Sequence, residues 1–149
     1  LLPLAQEAAE NLRTAAEQKN VRITVSGESV SMVGVRRLLY EVIYNLCDNA
    51  IKYNVEGGRV ELRVAAEGEN ARLTVRDTGI GIPSEHQGRV FERFYRVDKS
   101  HSKESGGTGL GLSIVKHAVA YHHGTVTLKS EVGRGTEITV RLPRGTQEP

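Results

Sequence analysis

From Val33 to about Asn54 the chain repeats apolar residues every three or four positions, through Val35, Leu38, Leu39, Val42, Ile43, Leu46, Cys47 and Ala50. No other segment holds one period for so long, and this spacing predicts a long amphipathic helix laid on a core. That core needs a second layer. Segments 21–25, 59–65, 71–76, 125–130 and 136–142 alternate apolar with polar residues as half-buried strands do. The turn Glu67-Gly68-Glu69-Asn70 makes a hairpin of the middle two, Gly133 and Gly135 mark the turn of the last two, and Ser26-Gly27-Glu28 ends the first. Further helical spacing runs over 4–19 and over 110–122, the latter stopped by Gly124. The stretch 77–109 reads as a long Gly-rich loop, of the kind that is functional or disordered, and 143–149 reads as a frayed tail. The order predicts an α+β fold, a two-layer α/β sandwich with a mixed sheet of about five strands and helices on one face. A single domain over 1–149 is expected.

Twenty Lys and Arg against 18 Asp and Glu leave a formal charge of +2, which excludes the electrostatic footprint of a nucleic-acid binder or a polybasic membrane anchor. No uninterrupted apolar run approaches the ~20 residues of a bilayer span. Cys47 has no partner for a disulfide and apolar neighbours, so it reads as a small buried hydrophobe in a reducing compartment. The abrupt start reads as a cut from something longer.

At ~100° per residue, Glu41, Asn45, Asn49 and Lys52 fall within an arc of roughly 80°, opposite the Leu38, Leu39, Val42 and Ile43 face. Two carboxamides, a carboxylate and an ammonium one turn apart offer hard oxygen ligands beside a phosphate-binding cation; taken alone, the stripe fits an ordinary solvated helix face better. Asp77-Thr78-Gly79-Ile80-Gly81-Ile82-Pro83 follows a strand, so its carboxylate can accept from an exocyclic amine and its glycines admit a flat ligand. A plain turn is the alternative. Gly106-Gly107-Thr108-Gly109-Leu110-Gly111-Leu112 opens a helix, converging backbone amides and a helix dipole on an anion. It is neither a Walker loop nor a dinucleotide fingerprint, and a bare glycine hinge is the alternative. Between the two clusters, Phe91, Phe94 and Tyr95 precede Arg96, Lys99 and Lys103, which suits a lid whose aromatics pin it and whose cations meet phosphates.

EVIYNLCDNAIKYN, DTGIGI, FERFYRVD and GGTGLGLSIVKH, in that order, resemble the asparagine, first glycine, phenylalanine and second glycine boxes of the catalytic ATP-binding domain of sensor histidine kinases. The resemblance covers nearly the whole chain and implies ATP and Mg²⁺ as cofactors. It makes Asn45 the principal metal ligand, Glu41 its water-mediated neighbour, and Asn49 and Lys52 phosphate-side groups. Tyr53 lies against adenine or ribose, Asp77 accepts the adenine amine, Gly79 and Gly81 make room for the ring, and Ile82 adds apolar contact. Gly107, Thr108, Gly109, Leu110, Gly111 and Leu112 bind phosphates through backbone amides, with Arg96 and Lys99 as lid cations.

Two departures stand out. His101 and Lys103 occupy lid positions where arginines are frequent, which weakens the grip on phosphate or makes it pH-dependent. None of His86, His101, His117, His122 or His123 is followed by an acidic residue, so the family's phosphoacceptor histidine is not here, and all five read as structural or solvated. The resemblance therefore implies the nucleotide half of a kinase. It would pass the γ-phosphate to a histidine on a separate dimerisation domain and then to a response-regulator aspartate. The fragment would be monomeric, its parent a cytoplasm-facing, membrane-anchored homodimer. The rivals are a related ATPase with Glu41 activating water, and a non-catalytic nucleotide-binding module.

Overall fold

The computed structural model describes residues 1–92 and 111–145. Helices α1 (Leu2–Asn11) and α2 (Arg13–Gln18) lead to β1 (Arg22–Gly27), α3 (Arg36–Lys52) and the hairpin β2 (Arg59–Glu67) and β3 (Asn70–Asp77). A short α4 (Ser84–Gln87), α5 (Gly111–Tyr121), β4 (Thr125–Glu131) and β5 (Gly135–Pro143) follow. The strands form one five-stranded sheet in the order β1-β2-β3-β5-β4. Only the β1–β2 pair is parallel, because α3 carries the chain back across the sheet between them. The expected mixed sheet is present.

Strand alternation determines which face is dry. Val60, Leu62 and Val64 of β2, Ala71, Leu73 and Val75 of β3, and Ile138, Val140 and Leu142 of β5 are buried against the helices. Leu39, Val42, Ile43, Leu46, Ala50 and Ile51 of α3 meet them. Cys47 is fully buried among these, and burial pushes its thiol up to about 12, with Asp48 adding to the effect; it is an inert core residue, as its neighbours implied. The opposite face is open and charged. Glu61, Arg76, Glu137 and Lys129 stand side by side across four strands with alternating sign, the arrangement that favours cross-strand pairing.

Several boundaries differ from the sequence reading for identifiable reasons. The run 4–19 is two helices, broken where Leu12 turns to φ −100°, ψ 1°. Leu38 is only half-buried, since at ~100° per residue it falls between Asn45 and Asn49, within the polar stripe and not opposite it. The turn between β2 and β3 is Gly68-Glu69 alone, with Glu67 paired to Asn70. Pro143 and Arg144 are not frayed: Pro143 pairs with Asn70, and the Arg144 amide donates to the Glu69 carbonyl at 3.0 Å.

The end of α5 is a Schellman turn, in which the Gly124 amide donates to the Val119 carbonyl and the His123 amide to the Ala120 carbonyl. The left-handed residue is His123, at φ 60°, whereas Gly124 is required because a Cβ there would press on the Arg141 carbonyl. A side chain in that conformation is strained, so His123→Gly is expected to raise unfolding stability by about 1 kcal/mol. Urea titration of the two chains measures this directly, and an unchanged midpoint would contradict it. His122 is buried: its Nε2 accepts the Val35 amide at 3.0 Å and its Nδ1–H donates to the Ala118 carbonyl at 2.8 Å. It ties the start of α3 to the end of α5, a structural role.

Candidate functional site

The polar stripe of α3 forms one wall. The Asn45 Nδ2 donates to the Glu41 carbonyl at 2.7 Å; since only the nitrogen can serve a carbonyl, the amide oxygen is left as an acceptor with no partner among the described residues. It points to the start of α5, where a Cβ added to Gly111 would lie 3.3 Å from it. Glycine thus lets the positive end of α5 approach a hard oxygen ligand. Asn49 is half-buried and its carboxamide has no partner among the described residues. Lys52 pairs with Asp48 at 3.0 Å, both partly buried. Asp48, which the sequence reading did not name, falls just outside the stripe, about 20° beyond Glu41 by the same rotation. The Lys52 carbonyl accepts the Lys19 ammonium, whose pKa is lowered by burial.

The other end of the site is built where β3 leaves the sheet. Asp77 Oδ1 accepts the Gly79 amide at 2.8 Å and the Thr136 amide at 3.2 Å. Burial pushes this carboxyl above its ordinary value and the two amides pull it back. Its second oxygen has no partner among the described residues. Tyr53, the C-cap of α3, offers its carbonyl to the Ile80 amide at 3.1 Å, and a Cβ on Gly79 would overlap that same carbonyl. Gly81 sits at φ +76°, where a Cβ would overlap the Glu131 carbonyl; both glycines are therefore obligatory. The Ile82 amide donates to Ser130 Oγ at 2.7 Å and its carbonyl accepts Gln87 Nε2 at 2.8 Å. The loop is thus clamped between the end of α3 and the β4–β5 hairpin. Thr136, Ser130 and Gln87 escaped the sequence reading. Thr136 contributes a backbone amide, which leaves no mark in residue type.

Asn45 and Tyr53 are separated by roughly 12 Å of helix rise, the reach from a purine to its terminal phosphates. The structure brings Glu41, Asn45, Asn49, Lys52 and Gly111 to one end of α3, or along it, and Tyr53, Asp77, Gly79, Gly81 and Ile82 to the other. Leu112 packs partly buried on the core, so its backbone is what remains for a ligand. Arg96, Lys99, Gly107, Thr108, Gly109 and Leu110, with His101 and Lys103, lie outside the described residues. Among the described residues no helix is long and apolar enough to cross a membrane.

Residues 34–146 match the family described as histidine kinase-, DNA gyrase B-, and HSP90-like ATPase. The sensor-like histidine kinase SenX3 of Mycolicibacterium smegmatis is 41% identical over 141 residues, covering 94% of this chain and 37% of that protein. The chain thus spans about a third of the length of such curated relatives. Among solved structures, a mycobacterial sensor histidine kinase MprB superposes with a TM-score of 0.83 at 30% identity, covering 95% of this chain and 93% of that one. Full-length ShkA in complex with AMPPNP superposes at 0.80 with 29% identity, covering 99% of this chain and 30% of that one. A mixed five-stranded sheet, an asparagine-bearing helix along one wall and a carboxylate at the strand end are thus found together in a sequence with these relatives, and the chain belongs to the histidine kinase-, DNA gyrase B- and HSP90-like ATPase family, as a catalytic ATP-binding domain of the histidine-kinase type.

Proposed function

We propose that this chain binds ATP with Mg²⁺ and positions the γ-phosphate for transfer to a histidine on a separate dimerisation domain, from which it passes to a response-regulator aspartate. The observation that carries the reading is a pair of acceptors along α3 with no partner among the described residues: the Asn45 amide oxygen beside the α5 start, and the second Asp77 oxygen at the far end. A nucleotide laid between them would give its exocyclic amine to Asp77 and its phosphates to the α5 amides. The nucleotide complex of ShkA, a structure of this fold, supports that choice of ligand.

Asn45 fits a divalent cation, because its carbonyl oxygen is hard and its nitrogen is already committed. Bound there, Mg²⁺ neutralises charge on the phosphate oxygens. The protein's own residues hold the base, converge amides on the phosphates and leave the reacting phosphorus open to the incoming imidazole. In the transfer, the imidazole nitrogen forms a bond to the γ-phosphorus as the bond to the bridging oxygen breaks. The electron pair leaves with ADP, and the imidazole's proton passes to a base beside the acceptor. Lys52 reaches phosphate by exchanging Asp48 for it, and Arg96, Lys99 and the backbone amides of Gly107 through Leu110 serve as further phosphate-binding groups. Residues 1–149 act as one domain, monomeric alone, with the acceptor domain supplying dimerisation in a parent whose catalytic part faces the cytoplasm from the membrane.

Calorimetric titration with a non-hydrolysable ATP analogue, with and without Mg²⁺, tests the pocket. An added acceptor-histidine domain and labelled ATP test the transfer. Metal-enhanced binding and an acid-labile, base-stable phosphoryl on the acceptor are expected. Rapid phosphate release by the chain alone, abolished by Glu41→Ala, would instead favour an ATPase; binding without any transfer would favour a nucleotide sensor.

A further inference from the structure

Asn54 is 4% exposed, just beyond the end of α3, and no ligand contact described above uses it. Its Nδ2 donates to the Arg59 carbonyl at 3.0 Å, while its Oδ1 accepts the Val55 amide at 2.8 Å and the Thr78 hydroxyl at 3.3 Å. Thr78 closes the ring of bonds. Its Oγ1 accepts the Arg59 amide at 2.8 Å, and its own amide donates to the Arg59 carbonyl at 3.2 Å. Gly58 lies against the centre of this knot, where a Cβ would overlap Asn54 Oδ1 and stand 2.8 Å from Thr78 Oγ1. No side chain fits there.

The knot joins two segments that lie far apart in sequence and one peptide away from pocket residues: Tyr53 precedes Asn54, and Asp77 precedes Thr78. We infer that Asn54 is a positioning residue for base recognition. Through Thr78 and Arg59 it holds Asp77 in the orientation whose free oxygen accepts an exocyclic amine, so the site selects 6-aminopurine nucleotides over 6-oxopurine ones. A buried carboxamide using three of its four bonding positions resists rotation, and a carboxylate selects between donor and acceptor edges only while its direction is fixed. The inference rests on reading Asp77 as the adenine acceptor.

The test compares calorimetric affinities for ADP and IDP, which differ at that edge of the ring. The wild-type chain is expected to prefer ADP by about tenfold or more. In Asn54→Ala the preference is expected to fall by about fivefold, with IDP affinity essentially unchanged. Simple loss of stability would weaken both ligands alike and leave the ratio intact. Thr78→Val should reproduce the loss and Thr78→Ser should retain the preference, which keeps the test decisive if Asn54→Ala does not fold. Wild-type selectivity in both Asn54→Ala and Thr78→Val overturns the inference while leaving the pocket standing. No preference in the wild-type chain overturns the reading of Asp77 and the inference with it.

Discussion

Asp77→Asn is expected to lower nucleotide affinity about 100-fold while raising the stability of the ligand-free chain at neutral pH. The substitution is nearly isosteric, so the retained oxygen still accepts the Gly79 and Thr136 amides. What changes is the group facing the ligand, where an amide nitrogen would meet the exocyclic amine donor to donor. The stability gain follows from the sign of the pKa shift. Burial outweighs the two amide bonds and raises the folded-state value above 3.8, so the native state binds the proton more tightly than the unfolded chain does. The contribution of this group is fully present below the unfolded value and is lost as pH rises through the folded one. Asparagine does not titrate, so the stability difference between variant and wild type should open as pH climbs out of the acid range. Urea midpoints at several pH values, measured without nucleotide, check it. A variant less stable than wild type at pH 7 would show that the amide bonds, not burial, dominate.

Asn45→Ala is expected to cut the rate of phosphoryl transfer to a supplied acceptor domain about 100-fold and to erase the Mg²⁺-dependent part of nucleotide binding. Stability should not fall, because among the described residues the side chain bonds only to the Glu41 carbonyl in its own helix and alanine is the better helix former. The separation of effects is the test. Initial rates of label transfer and titrations with and without metal read the function, and thermal unfolding reads the fold. Retention of the full metal dependence would place the cation on other oxygens.

The helix that carries the site was legible from its apolar period, and the glycines from their clustering beside Asp77. The one-face arrangement of helices followed from strands whose alternation left one side dry. What stayed hidden was of two kinds. Thr136 acts through a backbone amide, and any residue but proline at that position in β5 would supply it. Asn54 looks like a routine helix-ending residue until Thr78, 24 residues on, is brought against it beside Arg59. The place of Leu38 within the stripe and the Asp48–Lys52 pair one turn apart were within reach of the same rotation arithmetic. The break at Leu12 was not: Ala- and Glu-rich residues on both sides of it favour helix, and tertiary packing overrides that preference.

The sheet order has a consequence for how such a chain is made. β5 lies between β3 and β4, so β4 leaves the ribosome before the strand it must pair with. Until β5 emerges, one edge of β3 is bare and Asp77 lacks the amide that Thr136 will bring. The nascent chain therefore lacks one of the two amides that hold the Asp77 carboxylate until synthesis of β5 is complete. In the interval, the open β3 edge and the unpartnered β4 are both exposed to pairing with a neighbouring polypeptide.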